Sequence, residues 1–293
     1  MYLLQQFYRY FIGLRPKQRI KNLVIFIPLL FEGGVLDSHL VMKSVGFFFL
    51  FSLFVWITYH FNDYKDKDND RLHPVKSKRP LVSGKLDISF MLTVSLILCL
   101  GILLLLYFLY SPLVLVFTLF YLLNTLVYSL RAKNKVIIDV FFIAIWFVLR
   151  IFIAYLILGT DISLWLGLMV FVGSLWFTFL KRYKEVKLWL NTRAVMLSYN
   201  ASFLQQVVSI MTGLFLMLYV MYTYQFTSPW FVCITFLLLT LCVLKILYSV
   251  FFDNNYTDGV EEMIVHDEVF VVALIVFLIS LGAQYFIPWI LIY

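Results

Sequence analysis

Three aspartates near residue 65 have a spacing that suits a bound divalent cation. Asp63, Asp66 and Asp70 stand at positions i, i+3 and i+7, which brings side chains onto one face of an α-helix. Carboxylates on one face repel one another unless a cation lies between them, and Mg²⁺ binds through a few such oxygens together with substrate phosphates. The sequence therefore predicts a magnesium site on these three residues. The alternative is a solvated loop in which Lys65 and Lys67 neutralise the acids.

A basic segment follows the aspartates and is suited to phosphate. Pro74, Pro80 and Gly84 indicate a constrained loop rather than a helix. We expect Lys78 and Arg79 in this loop to contact the oxygens of a magnesium-bound pyrophosphate, because lysine and arginine side chains donate to phosphate. A loop that only fixes the membrane topology is the alternative for any single lysine.

Further polar side chains at the ends of predicted helices are candidates for binding substrate. They are Lys21 and Asn22 before the first span, Asn62 beside the acidic cluster, Tyr128 and Arg131 at the turn between the fourth and fifth spans, and Lys181, Arg182, Tyr183 and Glu185 after the sixth. Lys181 and Glu185 are four residues apart, so a surface ion pair is the alternative for them. Within the fifth span, Arg150 either pairs with an acid on another helix or binds an anionic group, because a charge inside a bilayer usually faces the bundle interior.

The composition indicates that a membrane protein positions these side chains. Of the 293 residues, 63% are hydrophobic and only 13% are charged, whereas a soluble domain averages about 25% charged residues. The mean hydropathy is +0.95. These values exclude a soluble globular enzyme and a disordered protein, and the three cysteines lie in apolar runs without the pattern of a disulfide framework. The chain is therefore predicted to be a polytopic membrane protein.

Nine segments are apolar over about the length that a helix needs to cross a bilayer. They are residues 22–37, 40–61, 88–109, 112–130, 136–158, 162–180, 203–224, 229–248 and 269–291. Their apolar runs are continuous, whereas membrane β-strands alternate between apolar and polar residues. The predicted fold class is therefore all-α, with nine transmembrane helices.

The distribution of basic residues predicts which side of the membrane carries the candidate site. Nearly all of the 23 lysines and arginines fall in the N-terminal segment and in the loops on the same side as that segment. The positive-inside rule places that side in the cytoplasm. Nine spans then put the N-terminus in the cytoplasm and the C-terminus on the opposite side. Residues 1–21 are predicted to lie at the cytoplasmic interface.

A motif after the second predicted span carries a family resemblance. The pattern Asn-Asp-x-x-Asp-x-x-x-Asp, from Asn62 to Asp70, resembles that of the UbiA superfamily of intramembrane prenyltransferases, which also fits nine predicted helices. The order Arg15–Asn22, Asn62–Asp70, His73–Pro74, Arg79–Pro80 and Lys181–Glu185 is similar to the branch that transfers a phosphoribosyl group to a polyprenyl phosphate. The resemblance implies one UbiA-like bundle over residues 1–293, with a cytoplasmic active-site cavity, in a bacterial plasma membrane.

That resemblance also implies a reaction and its participants. Phosphoribosyl pyrophosphate would react with a polyprenyl phosphate lipid and release pyrophosphate, with Mg²⁺ as cofactor, and the product would supply cell-wall precursors. The residues it places in catalysis are Asp63, Asp66, Asp70, Lys21 and Arg79. Prenyl-transferring members carry a second Asp-rich motif after the sixth helix, where this chain has the basic segment Lys181–Glu185. This departure favours phosphoribosyl transfer.

Two alternative functions use the same residues differently. In a prenyltransferase, the aspartates would bind a prenyl diphosphate, and the acceptor would be aromatic or another small molecule. In a transporter, the acids would bind an ion, but transporters have charges near the bilayer midplane, often on broken helices. Here only Asp139 and Arg150 qualify, which favours an enzyme over a transporter.

Overall fold

The structure is a computed structural model, and it describes residues 1–13, 16–31, 34–71, 76–188, 194–225, 228–252 and 267–283. Over these ranges the chain is helical and contains no β-strand. The α-helices are α1 (Tyr2–Ile12), α2 (Ile27–Phe31), α3 (Ser38–Lys65), α4 (Lys67–Arg71), α5 (Ile88–Leu109), α6 (Pro112–Leu130), α7 (Ile138–Leu158), α8 (Leu164–Lys187), α9 (Ala201–Thr223), α10 (Pro229–Phe252) and α11 (Glu268–Ala283). Short 3-10 segments lie between them at Pro16–Phe26, Gly34–Leu36, Lys76–Lys78, Ala132–Asn134 and Ala194–Ser198.

Seven helices, α3 and α5 to α10, are long and apolar enough to cross a membrane. They coincide with the second to eighth predicted spans, which confirms a polytopic, all-helical membrane protein. Two shorter apolar helices, Lys21–Phe31 and Glu268–Leu281, lie where the first and ninth spans are predicted. The count of nine spans stays a prediction, since residues 284–291 of the ninth lie outside the described residues.

Local chemistry sets where α3 begins and ends. The Asp37 carboxylate caps its first turn and accepts from two backbone N–H groups, at 2.8 and 3.4 Å. The helix runs to Lys65, so Asn62 and Asp63 lie on its last turn. At Asp66 the backbone leaves the helical conformation, with φ −95° and ψ 4°, before α4 begins. The continuous helical face predicted for the three aspartates is therefore interrupted at the middle one, because aspartate competes with the helical backbone bonds and favours helix ends.

The chain forms two compact units. The first comprises Met1–Leu29, Gly34–Leu130 and Leu149–Thr160, and the second comprises Leu30–Gly33, Arg131–Val148 and Asp161–Tyr293. Each unit has buried apolar residues of its own. The single domain expected over residues 1–293 stays a prediction.

In the first unit, α3 packs against α5, α6 and the 3-10 segment Pro16–Phe26. Phe47, Phe51 and Phe54 recur at helical spacing on α3 and are fully buried. The ring of Phe51 meets Tyr121 of α6 edge-on, with the ring centres 5.0 Å apart. These aromatic contacts fix α3, and with it the end of α3 that carries Asp63.

In the second unit, the most extensive helix contact is between α8 and α9. Trp176 stacks on Phe215, with the ring centres 6.2 Å apart, and its Nε1 donates to Thr212 Oγ1 at 2.8 Å. A Cβ atom at Gly173 would lie 2.9 Å from the Phe215 ring, so the close packing of these helices requires glycine there.

Candidate active site

Two of the predicted magnesium ligands are buried around one arginine of the first unit. Asp63 lies on the last turn of α3 and Asp70 in α4, and each residue is 5% exposed. The Nη1 atom of Arg79 lies 3.0 Å from Asp63 Oδ1 and also donates to Asp70 Oδ2. One guanidinium nitrogen therefore joins the two carboxylates.

Arg79 supplies the positive charge that these carboxylates need. Two carboxylates withdrawn from water are costly unless an opposite charge and hydrogen bonds compensate them. Burial lowers the pKa of the Arg79 guanidinium, and the negative charges of Asp70 and Asp66 offset only part of this lowering. Arginine nevertheless stays protonated at neutral pH. Asp63 and Asp70 therefore share one basic group, and the charge of Asp66 also favours its protonated form.

Asn62, which precedes this cluster on α3, is tied to α6. The Ser129 hydroxyl donates to Asn62 Oδ1, and the same Oγ atom lies 2.8 Å from the Thr125 carbonyl oxygen. Ser129 and Thr125 are both on α6. The contact orients the last turn of α3, and so helps to set the direction of the Asp63 side chain.

The loop that carries Arg79 is held by its own backbone. The Ser83 N–H donates to the Arg79 carbonyl oxygen at 2.8 Å, and the Leu86 N–H donates to the Pro80 carbonyl oxygen at 2.9 Å. Gly84 has φ +75°, a left-handed conformation that glycine adopts without a Cβ clash. The prediction of a constrained loop is thus confirmed for its described residues.

A small recess opens at the aspartate–arginine cluster, with a volume of about 80 Å³. It is lined by Ile12, Gly13, His60, Asp63, Arg79, Pro80, Leu81 and Leu86. Sites for drug-sized ligands usually measure about 300–1,000 Å³. The recess is therefore smaller than a typical small-molecule site.

The donor atoms of this cluster suit magnesium, although Arg79 lies between them. Mg²⁺ prefers oxygen ligands, and Asp63 and Asp70 offer buried carboxylates. Within the part of the chain that the structure describes, no group of three or more His, Cys, Asp or Glu residues has the arrangement of a metal site. The chemistry of the residues fits the ion, and joint ligation by Asp63, Asp66 and Asp70 stays a prediction.

Asn22 belongs to a buried polar network that its place in the sequence does not reveal. Its Nδ2 donates to Ser52 Oγ at 3.0 Å, and its Oδ1 accepts from Arg150 Nε at 2.9 Å. Arg150 also donates from Nη2 to the Tyr121 hydroxyl at 2.9 Å and lies over the rings of Tyr121 and Phe51. Asn22 and Tyr121 are therefore neutral hydrogen-bond partners of Arg150, and they lie on two other segments of the chain.

Arg182, another predicted substrate contact, forms a buried ion pair in the second unit. Its Nη2 donates to Asp139 Oδ2 at 2.9 Å, and its Nη1 donates to Glu185 Oε2 at 3.0 Å. The Tyr199 hydroxyl donates to the other oxygen of Asp139 at 2.8 Å. Burial raises the pKa of Tyr199, which keeps this hydroxyl protonated. The network holds α7 and α8 together, and contact of Arg182 with substrate stays a prediction.

The predicted site residues are divided between the two units. The first unit holds Lys21, Asn22, Asn62, Asp63, Asp66, Asp70, Lys78, Arg79 and Tyr128, and the second holds Arg131, Lys181, Arg182, Tyr183 and Glu185. Lys78 and Arg131 are exposed, whereas Tyr128 and Tyr183 are buried. Arg15, His73 and Pro74, which contributed to the resemblance, lie outside the described residues.

A family comparison covers most of the chain and both units. Residues 24–263 match the model of a family described as the UbiA prenyltransferase family. The matched range includes the aspartate cluster, the Arg79 loop and the Arg182 ion pair.

Individual relatives agree with that match. The chain is 26% identical over 282 residues to a decaprenyl-phosphate phosphoribosyltransferase of Mycobacterium tuberculosis (strain CDC 1551 / Oshkosh), with 92% of each chain covered. It is 24% identical to the protein of the same name from Mycolicibacterium smegmatis, with 92% of this chain and 90% of the relative covered. A solved UbiA homolog from Archaeoglobus fulgidus, bound to DMAPP and Mg²⁺, has a TM-score of 0.67 at 17% identity and covers 94% of this chain and 98% of its own. That likeness shows a shared fold.

Proposed function

Because this chain belongs to the UbiA prenyltransferase family, we propose that it is an intramembrane transferase that uses a diphosphate donor at the aspartate–Arg79 cluster. The donor is 5-phosphoribosyl-1-pyrophosphate, and the acceptor is a polyprenyl phosphate. Relatives named decaprenyl-phosphate phosphoribosyltransferase, which align over nearly their whole length, support this choice of substrates. The observation that carries the proposal is the convergence of Asp63 and Asp70 on Arg79 beside a recess.

The pyrophosphate end of the donor binds at the aspartate cluster. Asp63, Asp66 and Asp70 are the residues that would hold Mg²⁺, which when bound neutralises charge on the departing pyrophosphate. Arg79 exchanges a carboxylate contact for a phosphate oxygen of the donor and adds a fixed positive charge there. Lys78, the exposed neighbour of Arg79, contributes a second positive charge from the same loop.

The transfer itself replaces one bond to the ribose with another. The bond between C1 and the pyrophosphate oxygen breaks, and an oxygen of the lipid phosphate forms the new bond to C1. The lipid phosphate is already anionic at neutral pH, so the reaction requires no general base. Lys21 is our candidate for holding a further phosphate group of the substrates.

The membrane setting follows from the charge pattern. The basic loops support a site at the cytoplasmic side, with the N-terminus in the cytoplasm and the C-terminus on the opposite side. A bacterial plasma membrane is part of the same proposal, and the bacterial relatives support it. A water-soluble donor then reaches the same boundary as a lipid acceptor.

Prenyl transfer from a prenyl diphosphate to an aromatic or other small acceptor is the second candidate. The family description favours it, and so does the shared fold with a homolog bound to DMAPP and Mg²⁺. The aspartate cluster would then bind the prenyl diphosphate.

Product analysis with the purified chain separates the two candidates. Incubation with Mg²⁺, radiolabelled phosphoribosyl pyrophosphate and a polyprenyl phosphate is expected to give a labelled lipid. Product formed only from a prenyl diphosphate and an aromatic acid would contradict phosphoribosyl transfer.

Two aspartate variants test the site within the same assay. Asp66→Asn is expected to reduce turnover by about 100-fold or more, the usual cost of losing a group that stabilises charge in the transition state. Asp68→Asn is the control, because the Asp68 side chain is 92% exposed and turnover should stay at the parent level. Full activity of a folded Asp66→Asn protein would remove Asp66 from the proposed magnesium site.

A further inference from the structure

The first helix is packed against the loop that carries Arg79. Gln6 is 2% exposed, although α1 exposes most of its other side chains. The Gln6 Nε2 atom lies 3.4 Å from the Lys85 carbonyl oxygen, and Oε1 accepts from the Asp87 N–H at 2.9 Å. Arg9 donates to the same Lys85 carbonyl oxygen. Helix α1 therefore holds the backbone at the far end of this loop.

Apolar packing supports these hydrogen bonds. Tyr10 is fully buried and packs with Leu81 and Leu86 of the loop. Its ring centre lies 4.4 Å from that of His60 on α3. A Cβ atom at Gly13 would lie 2.7 Å from His60 Cε1, so the close approach of the end of α1 to α3 requires glycine. The helix is thus fixed against both the loop and the helix that carries Asp63.

Backbone hydrogen bonds connect the held end of the loop to Arg79. The Leu86 N–H donates to Pro80, and the Ser83 N–H donates to Arg79. Leu86 lies between the two residues that Gln6 contacts. A displacement at this end would therefore be passed to the Arg79 backbone and would disturb its joint contact with the two aspartates.

We propose that α1 is a positioning element of the active site, and that Gln6 fixes the loop so that Arg79 reaches both aspartates. The inference rests on the proposed function, because the site that α1 adjusts is the pyrophosphate site. Ile12 and Gly13, at the end of the helix, line the same recess as Asp63 and Arg79. Gln6 lies outside this lining, so it acts through the loop and is a positioning residue, with no catalytic role.

The first test compares Gln6→Met with Gln5→Met in the full-length protein. Methionine has about the length of glutamine but makes neither hydrogen bond, and Gln5 is exposed on the same helix. The probe is inorganic pyrophosphate with Mg²⁺, titrated onto purified protein without acceptor. We expect about tenfold weaker pyrophosphate binding in Gln6→Met, the effect of losing one or two hydrogen bonds, and parent affinity in Gln5→Met.

Kinetics and a conservative variant distinguish positioning from a loss of fold. The KM for the diphosphate donor should rise about tenfold in Gln6→Met, while kcat changes less, because the chemical groups are still present. Gln6→Glu keeps the acceptor for the Asp87 N–H and should recover part of the affinity. If Gln6→Met does not fold, Gln6→Glu decides, because it loses the contact with the Lys85 carbonyl oxygen and should still bind pyrophosphate more weakly than the parent. Parent affinity and parent KM in every Gln6 variant that folds would overturn the inference.

A double-mutant cycle tests whether Gln6 acts through Arg79. In an Arg79→Ala background, Gln6→Met should cause no further loss of pyrophosphate affinity, because the side chain that it positions is gone. A tenfold loss that persists in that background would overturn the inference. Failure of the parent protein to bind pyrophosphate would instead overturn the proposed function, so the two failures are distinguishable.

Discussion

Among single side chains, Arg79 shows how one residue serves both folding and the proposed reaction. It contacts two buried aspartates, and a buried charge that loses its partner typically costs about 3–5 kcal/mol. Arg71 offers a contrast, since it pairs with Asp68 at 3.3 Å on the surface. A surface pair of this kind contributes about 0–1 kcal/mol. The two arginines therefore make ion pairs of similar length, but the aspartates that pair with Arg79 are buried and the one that pairs with Arg71 is exposed.

Arg79→Ala is expected to lower the free energy of unfolding by about 3 kcal/mol in the absence of divalent cations, because two buried carboxylates then lack their shared counter-charge. Added Mg²⁺ should recover part of this loss. Thermal unfolding of the detergent-solubilised protein, with and without Mg²⁺, measures both effects. Arg71→Ala is the matched control and should change the free energy by about 1 kcal/mol or less. Equal stability of the two variants without Mg²⁺ would contradict this account of Arg79.

Sequence spacing predicted part of this cluster. Helical periodicity placed Asp63, Asp66 and Asp70 on one face, and the structure brings Asp63 and Asp70 together on Arg79, while the helix breaks at Asp66. The sequence predicted Arg79 as a phosphate ligand, which stays a prediction, and it did not predict the contact of Arg79 with the two acids. The contact between Arg79 and the end of α3 depends on how the loop folds, and the spacing of residues in the sequence does not reveal that.

At the level of elements, one carboxylate fixes the start of α11. Asp267 Oδ1 accepts from the Phe270 N–H at 2.9 Å and so caps the helix. Its Oδ2 lies 3.1 Å from the Nζ atom of Lys245 on α10. The residue therefore joins two neighbouring helices of the second unit.

The Asp267 cap predicts a pH-dependent stability. Burial raises the pKa of Asp267, but hydrogen bonds from Phe270 and Lys245 and the Lys245 charge outweigh burial and lower it overall. A lowered folded-state pKa means that the stabilisation is present above the unfolded-state value of about 3.9 and is lost as the pH falls through the folded-state value. Asp267→Ala should therefore cost about 1 kcal/mol at pH 7.

Unfolding temperatures across a pH series measure the effect of Asp267. The difference between Asp267→Ala and the parent should begin to narrow below about pH 4, where the unfolded-state carboxylate becomes protonated, and should vanish once the folded-state carboxylate is protonated too. Asp161→Ala, at an exposed position of the same unit, should follow the parent at every pH. A difference that is constant with pH would show that the charge of Asp267 is not the cause.

The elements themselves were largely predictable, and their polar contacts were not. Seven apolar segments were found as seven long helices because about 20 continuous apolar residues have few other structures available in a membrane. The break at Asp66 and the bond between Asn22 and Arg150 were missed. The first depends on local competition for backbone hydrogen bonds, and the second joins residues far apart in the chain.

For the molecule as a whole, the contacts of Arg79 with Asp63 and Asp70 predict that the stability of the fold depends little on whether a metal ion is bound. Arg79 already offsets part of the charge of the two buried aspartates, so we expect the fold not to require a bound cation there. Chelation of divalent cations is expected to stop transfer while the unfolding temperature changes by less than about 4 °C, the shift that about 1 kcal/mol produces in a large domain. Unfolding scans with and without chelator measure this. A much larger decrease would show that the cation is part of the folded structure.

Composition and charge patterning predicted the class of protein, and a motif resemblance predicted the family to which the match over residues 24–263 assigns the chain. The sequence could not show that Asp63 and Asp70 belong to one compact unit while Arg182 belongs to another. Division into units depends on packing between distant segments, which hydropathy does not encode.

Helix α1 is short, carries no acidic residue and exposes Leu4 and Tyr8, so its removal could look like a way to improve the yield of purified protein. Its last residue, Ile12, and the following Gly13 nevertheless line the recess at Asp63 and Arg79. A protein without α1 would keep the seven long apolar helices but would lack this part of the lining of the recess. A purification tag is therefore better attached before Met1, which is 95% exposed, than used to replace the residues of α1.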